Sequence, residues 1–223
     1  MSLFDALHGL VQRLLPDRGA YETAAPRIPF YSGLGDGAWF LHGLVRLMRP
    51  AVCVEIGSAR GASACHIGLA LRQMNHGKLF AIDPHTRTEW NDSNSIDTYE
   101  VMRENLRRFA VEDHVEIIRK YSSDAAAGWD RPIDMLFIDG DHSYEGVKKD
   151  WSLFTPHVTE FGVVVFHDTI WDLKPDPRWS RADMGVPRFV EELRQSGFPV
   201  VTFNQCCGLS VVQPVSGGIR LVP

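Results

Sequence analysis

Val54-Glu55-Ile56-Gly57-Ser58-Ala59-Arg60-Gly61-Ala62-Ser63 is the stretch around which the chain is organised. The apolar run Ala51 to Val54 before it has the character of a buried strand, and Ala64 to Met74 after it carries apolar residues at helical spacing. The glycines therefore fall on a strand-to-helix turn. Such a turn aims helix N-terminal N–H groups and a positive dipole end at whatever binds there. Gly57 permits a backbone angle that other residues resist, and Gly61 lets a ligand or neighbouring strand come close. Glu55 supplies an acceptor, which suits an amino or hydroxyl group better than a bare phosphate. The turn points to a nucleoside-containing ligand.

Outward from the turn, strands and helices alternate. Ala51 to Ile56 is followed by a helix over Ala62 to Met74, a strand over Lys78 to Ile82 ending at Asp83-Pro84, and a helix from about Ile96 to Phe109. Val115 to Ile118 and Ile133 to Ile138 are further strands, separated by a short helix near Asp124 to Ala127. A helix over Tyr144 to Phe154, a Val-rich strand over Gly162 to Phe166, a helix over Val186 to Ser196 and two last strands, Val200 to Phe203 and Leu209 to Val212, complete the pattern. Alternation of this kind predicts an α/β, Rossmann-like, doubly wound and mostly parallel seven-stranded sheet with helices on both faces. The closing pair, joined by a short turn, must be antiparallel. Before the sheet, Ser2 to Leu15 has an amphipathic helical pattern and residues 16–36 are rich in Pro and Gly. The expected division is residues 1–36 as a helix and lid or linker, and 37–223 as the main domain, opened by a helix over Gly37 to Met48.

A chain of 223 residues with 44% hydrophobic and 23% charged residues has the bulk for one good-sized core. Its net charge of -5 gives no reason to expect nucleic acid as a partner. No stretch is apolar enough for a membrane span or a signal peptide, so a cytoplasmic location is the default expectation. Cys53, Cys65, Cys206 and Cys207 lack zinc-type spacing and are expected to be reduced.

In a doubly wound sheet ligands bind outside the carboxyl ends of the strands. The residues there are Glu55 and Gly57, Asp83, Asp139-Gly-Asp141-His142, and His167-Asp168. Asp83, 26 residues after Gly57, stands where an acid can bond both hydroxyls of a ribose; the plainer reading is a turn residue before Pro84. Asp139, His167 and Asp168 form a set for a divalent ion such as Mg²⁺, or a structural hydrogen-bond network. His142, with an ordinary pKa near ~6.5, is a candidate general base beside that set. Ser123 and Asp124 lie where an adenine edge could be met, with Ser123 equally suited to cap a helix. Trp90, Trp171 and Trp179 can stack on a ligand or cover the core.

Taken together, Glu55-Ile-Gly57-Ser-Ala-Arg-Gly61-Ala-Ser63, Ala81-Ile-Asp83-Pro84, Phe137-Ile-Asp139-Gly-Asp141-His142-Ser-Tyr-Glu-Gly and Val164-Val-Phe-His167-Asp168-Thr169 resemble a class I S-adenosylmethionine-dependent methyltransferase. More narrowly, the chain is similar to the small metal-dependent O-methyltransferases of sugars, macrolides and catechols, over about residues 37 to 213. The resemblance implies that Glu55, Gly57 and Ser58 hold the methionine end of the cofactor with Gly61 and Ser63. It places Asp83 on the ribose, Ser123 or Asp124 near adenine, and Asp139 beside both cofactor and metal. His142, three residues after the first metal carboxylate, takes the place of the basic catalytic residue, with Asp141 a rival base. The later metal pair maps to His167 and Asp168, although His167 stands where those relatives usually carry Asp or Glu.

The implied acceptor is a small molecule, with residues 16–36, the Trp90 loop and Asp168 to Gly185 as its recognition segments. The N-terminal helix is also a candidate contact for a homo-oligomer. Three rivals stand beside this reading. An NAD-dependent Rossmann oxidoreductase would want Gly-x-Gly-x-x-Gly and fits Glu55 poorly. A metal-dependent hydrolase leaves Glu55, Gly57 and Asp83 unexplained. A non-catalytic nucleoside-cofactor-binding protein leaves Asp139 and His142 without a task.

Overall fold

A computed structural model describes residues 33–86, 98–171, 183–205 and 207–214. These belong to one compact unit, Ser32–Pro223; the other unit, Met1–Tyr31, lies outside them. So do the expected helix over Ser2 to Leu15, the Trp90 loop, Trp179 and Cys206. Helix α1 (Gly37–Met48) leads to β1 (Val52–Ile56), α2 (Ala62–Met74), β2 (Lys78–Ile82), α3 (Thr98–Arg108), β3 (Val115–Ile118) and α4 (Ser122–Ala126). Then come β4 (Ile133–Ile138), α5 (Tyr144–Phe154), β5 (Val158–His167), α6 (Val186–Gln195), β6 (Val200–Phe203) and β7 (Leu209–Val212).

The sheet has seven strands in the order β3-β2-β1-β4-β5-β7-β6. β1 pairs in parallel with β2 and β4, so the strand order reverses there and opens a crevice at their carboxyl ends. β7 runs antiparallel to both β5 and β6, as a hairpin closing the sheet must. β5 begins earlier than its Val-rich core: its register against β4 jumps from Ile133↔Val158 to Met135↔Val163, extruding Phe161, which is exposed. Side chains alternate across the sheet. Val54, Ile56, Phe80, Leu136, Ile138, Val164 and Phe166 meet Val147 and Phe154 of α5 and Phe189 and Val190 of α6 in one core cluster. Glu55 and His167 are on the opposite, α1–α2 side by the same alternation.

Local chemistry sets the helix ends. Arg49, in the left-handed region at φ 52°, ends α1 just before Pro50. Ser143 starts α5 with its Oγ accepting the Gly146 N–H at 3.0 Å. Cys53 and Cys65 are buried free thiols, and burial pushes both up in pKa. Among the described residues no helix is long and apolar enough to cross a membrane.

Candidate functional site

The turn after β1 is held from the two strands that flank it. Gly57 N–H donates to the Ile82 carbonyl of β2 at 2.9 Å, and Asp139 N–H, just past β4, donates to the Ile56 carbonyl at 2.8 Å. Gly57 has φ 87°, and a Cβ there would stand 2.1 Å from the Asp139 carbonyl oxygen. Both the angle and the space exclude a side chain. The glycine turn and the Asp139 loop are thus in backbone contact.

Beneath the turn, Glu55 is fully buried. Its Oε2 accepts from Ser58 Oγ at 2.7 Å and its Oε1 from Ser63 Oγ. Burial raises its pKa to about 7, against the pull of those hydroxyls and with the help of the Asp139 and Asp83 charges. Both Glu55 oxygens are therefore taken up in organising Ser58 in the glycine turn and Ser63 in the first turn of α2. Asp83 clamps the other side: Oδ2 accepts the Ala59 N–H at 2.8 Å and Oδ1 the His85 N–H at 2.6 Å. Ala59 and His85 both sit at positive φ, 43° and 51°. The turn role and the ribose role are compatible, since each carboxylate oxygen keeps a second lone pair.

At the ends of β4 and β5 the residues Asp139, His142 and Asp168 come together, with one ligand atom from each within 4.8 Å of the others. His142 bridges the two acids: Nδ1 is 2.9 Å from Asp168 Oδ2 and Nε2 3.5 Å from Asp139 Oδ1. Burial would lower the His142 pKa, but the Asp168 hydrogen bond and the Asp168 and Asp139 charges outweigh it and raise the value. Asp168 shows the inverse balance. Burial pushes its pKa up, and the charge of His167 and the His142 hydrogen bond bring it below the usual carboxylate range. Asp168 also lies in the left-handed region at φ 59°, an uncommon place for a residue with a Cβ.

His142 joins Asp139 and Asp168 in the three-residue cluster, and His167, the third member of the expected set, also meets both acids: its Nδ1 donates to Asp139 Oδ1 at 3.0 Å and lies 3.4 Å from Asp168 Oδ1. Asp141 is exposed and its Oδ1 accepts the Ser143 N–H at 2.9 Å, a turn-forming arrangement. Ser123 is half-buried and Asp124 exposed on α4, whose N-cap is Tyr121, so Ser123 does not cap it. Trp171 is half-buried just past Asp168.

Several partners escaped the sequence reading. Asp150, buried on α5, is hydrogen-bonded with Ser122, and burial lifts its pKa to about 6. Its signal was there: a carboxylate at helical spacing between Val147 and Phe154 on a buried face. The Cys207 thiol hydrogen-bonds Asp168, and the Gly185 N–H donates to the His142 carbonyl. Neither lies in a periodic pattern that would single it out.

Residues 54–169 match a protein-family profile described as a methyltransferase domain. Over 158 residues the chain is 31% identical to protein R132 of Acanthamoeba polyphaga mimivirus, covering 68% of this chain and 64% of that relative, so it spans just under two thirds of the relative's length. Solved structures that share the fold include two with a bound cofactor or its product. The S-adenosylhomocysteine-bound methyltransferase PaMTH1 of Podospora anserina has a TM-score of 0.65 at 17% identity, covering 94% of each chain. The O-methyltransferase TomG of Streptomyces achromogenes, in complex with S-adenosylmethionine, has a TM-score of 0.62 at 20% identity, covering 92% of this chain and 94% of its own. With the profile covering more than half of its length, the chain belongs to the methyltransferase-domain family.

Proposed function

We propose that the protein transfers a methyl group from S-adenosylmethionine to a hydroxyl of a small-molecule acceptor, with a divalent cation at the Asp139–His142–Asp168 cluster. One observation carries the reading. The Gly57 turn and the Asp139 loop touch through backbone, so a ligand on the turn and a group on the cluster would be neighbours. The family match and the cofactor-bound neighbours support the same cofactor.

The residues fit both groups. Asp168 Oδ1 is buried and accepts no hydrogen bond; His167 Nδ1 lies 3.4 Å away, and the oxygen keeps lone pairs for a cation beside the Asp139 carboxylate. The two carboxylates suit Mg²⁺ or Mn²⁺, which take oxygen ligands, and leave the imidazole beside them for a proton. The first turn of α2 and the Asp83 carboxylate suit the methionine and ribose ends of the cofactor. S-adenosylmethionine would supply an electrophilic methyl group. A cation at the cluster would supply a Lewis acid for the acceptor hydroxyl and offset the carboxylate charges that now favour the protonated His142 imidazole.

In this reading Glu55 fixes Ser58 and Ser63, while Asp83 holds the turn and the ribose. With the cation on the two carboxylates, His142 would keep Nδ1–H on Asp168 and take the proton from the acceptor hydroxyl at Nε2, whose contact with Asp139 is the longer at 3.5 Å; the imidazole is better placed for this than the exposed Asp141. Holding the attacking oxygen in line is the main source of rate. Gly33, whose Cβ position lies 3.7 Å from His167 Cε1, brings the chain before α1 beside the His167 ring. The test is transfer of a labelled methyl group from S-adenosylmethionine to a panel of hydroxylated sugars, phenols and catechols with Mg²⁺ or Mn²⁺. Turnover of at least one class, abolished by His142→Ala and Asp139→Ala, is expected. Full activity in either variant would remove its residue from the mechanism.

A further inference from the structure

We propose that Gly185 is a positioning residue for His142, and that α6 acts as the bracket that keeps the imidazole between Asp139 and Asp168. The role in turnover rests on the methyl-transfer reading above; the positioning itself does not.

The loop from Asp139 to Ser143 is tied locally at both ends. Asp139 N–H bonds the Ile56 carbonyl, and Ser143 bonds the Asp141 carboxylate and the Gly146 N–H. None of these ties reaches the His142 carbonyl. Its partner comes from a distant part of the chain: Gly185 N–H, at 2.8 Å. Gly185 has φ -114°, which any residue adopts, so backbone freedom is not why glycine stands there. Space is. A Cβ on Gly185 would lie 2.0 Å from Tyr144 N and 2.3 Å from Tyr144 Cα, both backbone atoms that no rotamer change can move. A side chain must push the His142–Tyr144 segment away from α6, and the hydrogen bond to the His142 carbonyl breaks with it.

The bracket is itself anchored. Gly185 caps α6, accepting the Phe189 N–H at 3.0 Å, and Val186 and Phe189 are buried in the core. On the outside, the Tyr144 ring lies against the Arg188 guanidinium at 4.1 Å and the Lys148 ammonium at 5.1 Å. The Tyr144 hydroxyl donates to Glu192. Core packing and this polar clasp hold α6 against the residue two places after His142. The His142 contacts at stake are short on one side only: 2.9 Å to Asp168 and 3.5 Å to Asp139. A displacement of the peptide on the order of 1 Å would leave at most one of them, and misplacement of that size can cost roughly 10²-fold in rate.

The experiment uses the full chain labelled with ¹⁵N-histidine. At low temperature the wild type should show a hydrogen-bonded ring N–H resonance for His142, assigned by its loss in His142→Gln. Gly185→Ala should lose that resonance and drop kcat at least tenfold, while the Kd for S-adenosylhomocysteine stays within twofold because the Gly57 turn is untouched. Should Gly185→Ala not fold, Tyr144→Phe keeps the ring and removes the Glu192 tie, and should speed solvent exchange of the His142 ring N–H at least threefold. A resonance absent from the wild type, or unchanged with unchanged kcat in Gly185→Ala, overturns the inference; so does an unchanged exchange rate in Tyr144→Phe if that variant must serve. A wild type that shows the resonance but binds no S-adenosylhomocysteine sinks the methyl-transfer reading and leaves the positioning result standing.

Discussion

Gly57→Ala isolates the contact on which the functional reading depends. The added Cβ would stand 2.1 Å from the Asp139 carbonyl oxygen and 2.5 Å from its carbon, where real Cβ atoms keep at least 3.0 Å, so turn and loop must part by about 0.9 Å. The residue must also hold φ 87° with a side chain. Strain of that kind costs roughly 1–3 kcal/mol, short of the roughly 5–15 kcal/mol that hold a domain folded. The variant should therefore fold, with a melting temperature lower by roughly 3–10 °C for a chain of this size. Function should suffer more. Parting the turn from the Asp139 loop by close to an ångström displaces both halves of the site, and a loss of roughly 10²-fold is the expected scale. The assays are thermal unfolding followed by circular dichroism and titration calorimetry with S-adenosylhomocysteine. A variant that binds the ligand within threefold of wild type and melts within 2 °C would refute the contact's importance.

Three further outcomes follow from buried groups. His42 is fully buried on α1, with Nδ1 3.1 Å from the His66 carbonyl, and burial lowers its pKa to about 4. The unfolded chain thus binds a proton that the folded one refuses, so stability is complete above about pH 6.5 and falls towards pH 4, by about 3 kcal/mol from this group; urea titrations of wild type and His42→Gln should diverge across that window. Glu55 has the opposite sign: with its pKa raised to about 7, ionisation costs stability as pH rises from about 4.5 to 7. Glu55→Gln should gain up to about 3 kcal/mol at pH 8, little at pH 4, and lose cofactor affinity, a trade read by unfolding and calorimetry at both pH values. Asp168→Asn should weaken Mn²⁺ binding, followed by the paramagnetic resonance of the free ion, at least tenfold without changing S-adenosylhomocysteine affinity; equal Mn²⁺ binding would place the cation elsewhere.

What could be read from residues alone follows the strength of the local signals. Tyr144–Phe154 matched its expected limits because Ser143 is a good cap and Val147 and Phe154 share the buried face. β5 starts ahead of the Val-rich run that marks it in the sequence: Thr159-Glu160-Phe161 interrupts the apolar pattern, and pairing with β4 on both sides of the bulge makes it one strand. At the site, strand ends were legible because an apolar run stops where the acids begin. The membership of the acid–histidine cluster was not. His167 and Asp168 are successive residues, and a strand sends successive side chains to opposite faces. The left-handed turn at Asp168, invisible in the sequence, brings its carboxylate to His142 while His167 Nδ1 reaches both Asp139 and Asp168. The position of Glu55 before the glycines is plain in the sequence; that Ser58 and Ser63 occupy both its oxygens is a matter of side-chain packing.

The central claim is that the turn from Glu55 to Ser63 holds S-adenosylmethionine, with Asp83 on its ribose. Titration calorimetry of the full chain with S-adenosylhomocysteine and, in parallel, NAD⁺ tests it most directly. The account predicts one saturable site for S-adenosylhomocysteine, at least tenfold weaker in Asp83→Ala, and no binding of NAD⁺ at the same concentrations. Binding of NAD⁺ in its place, or no binding of S-adenosylhomocysteine by the folded wild type, would contradict it.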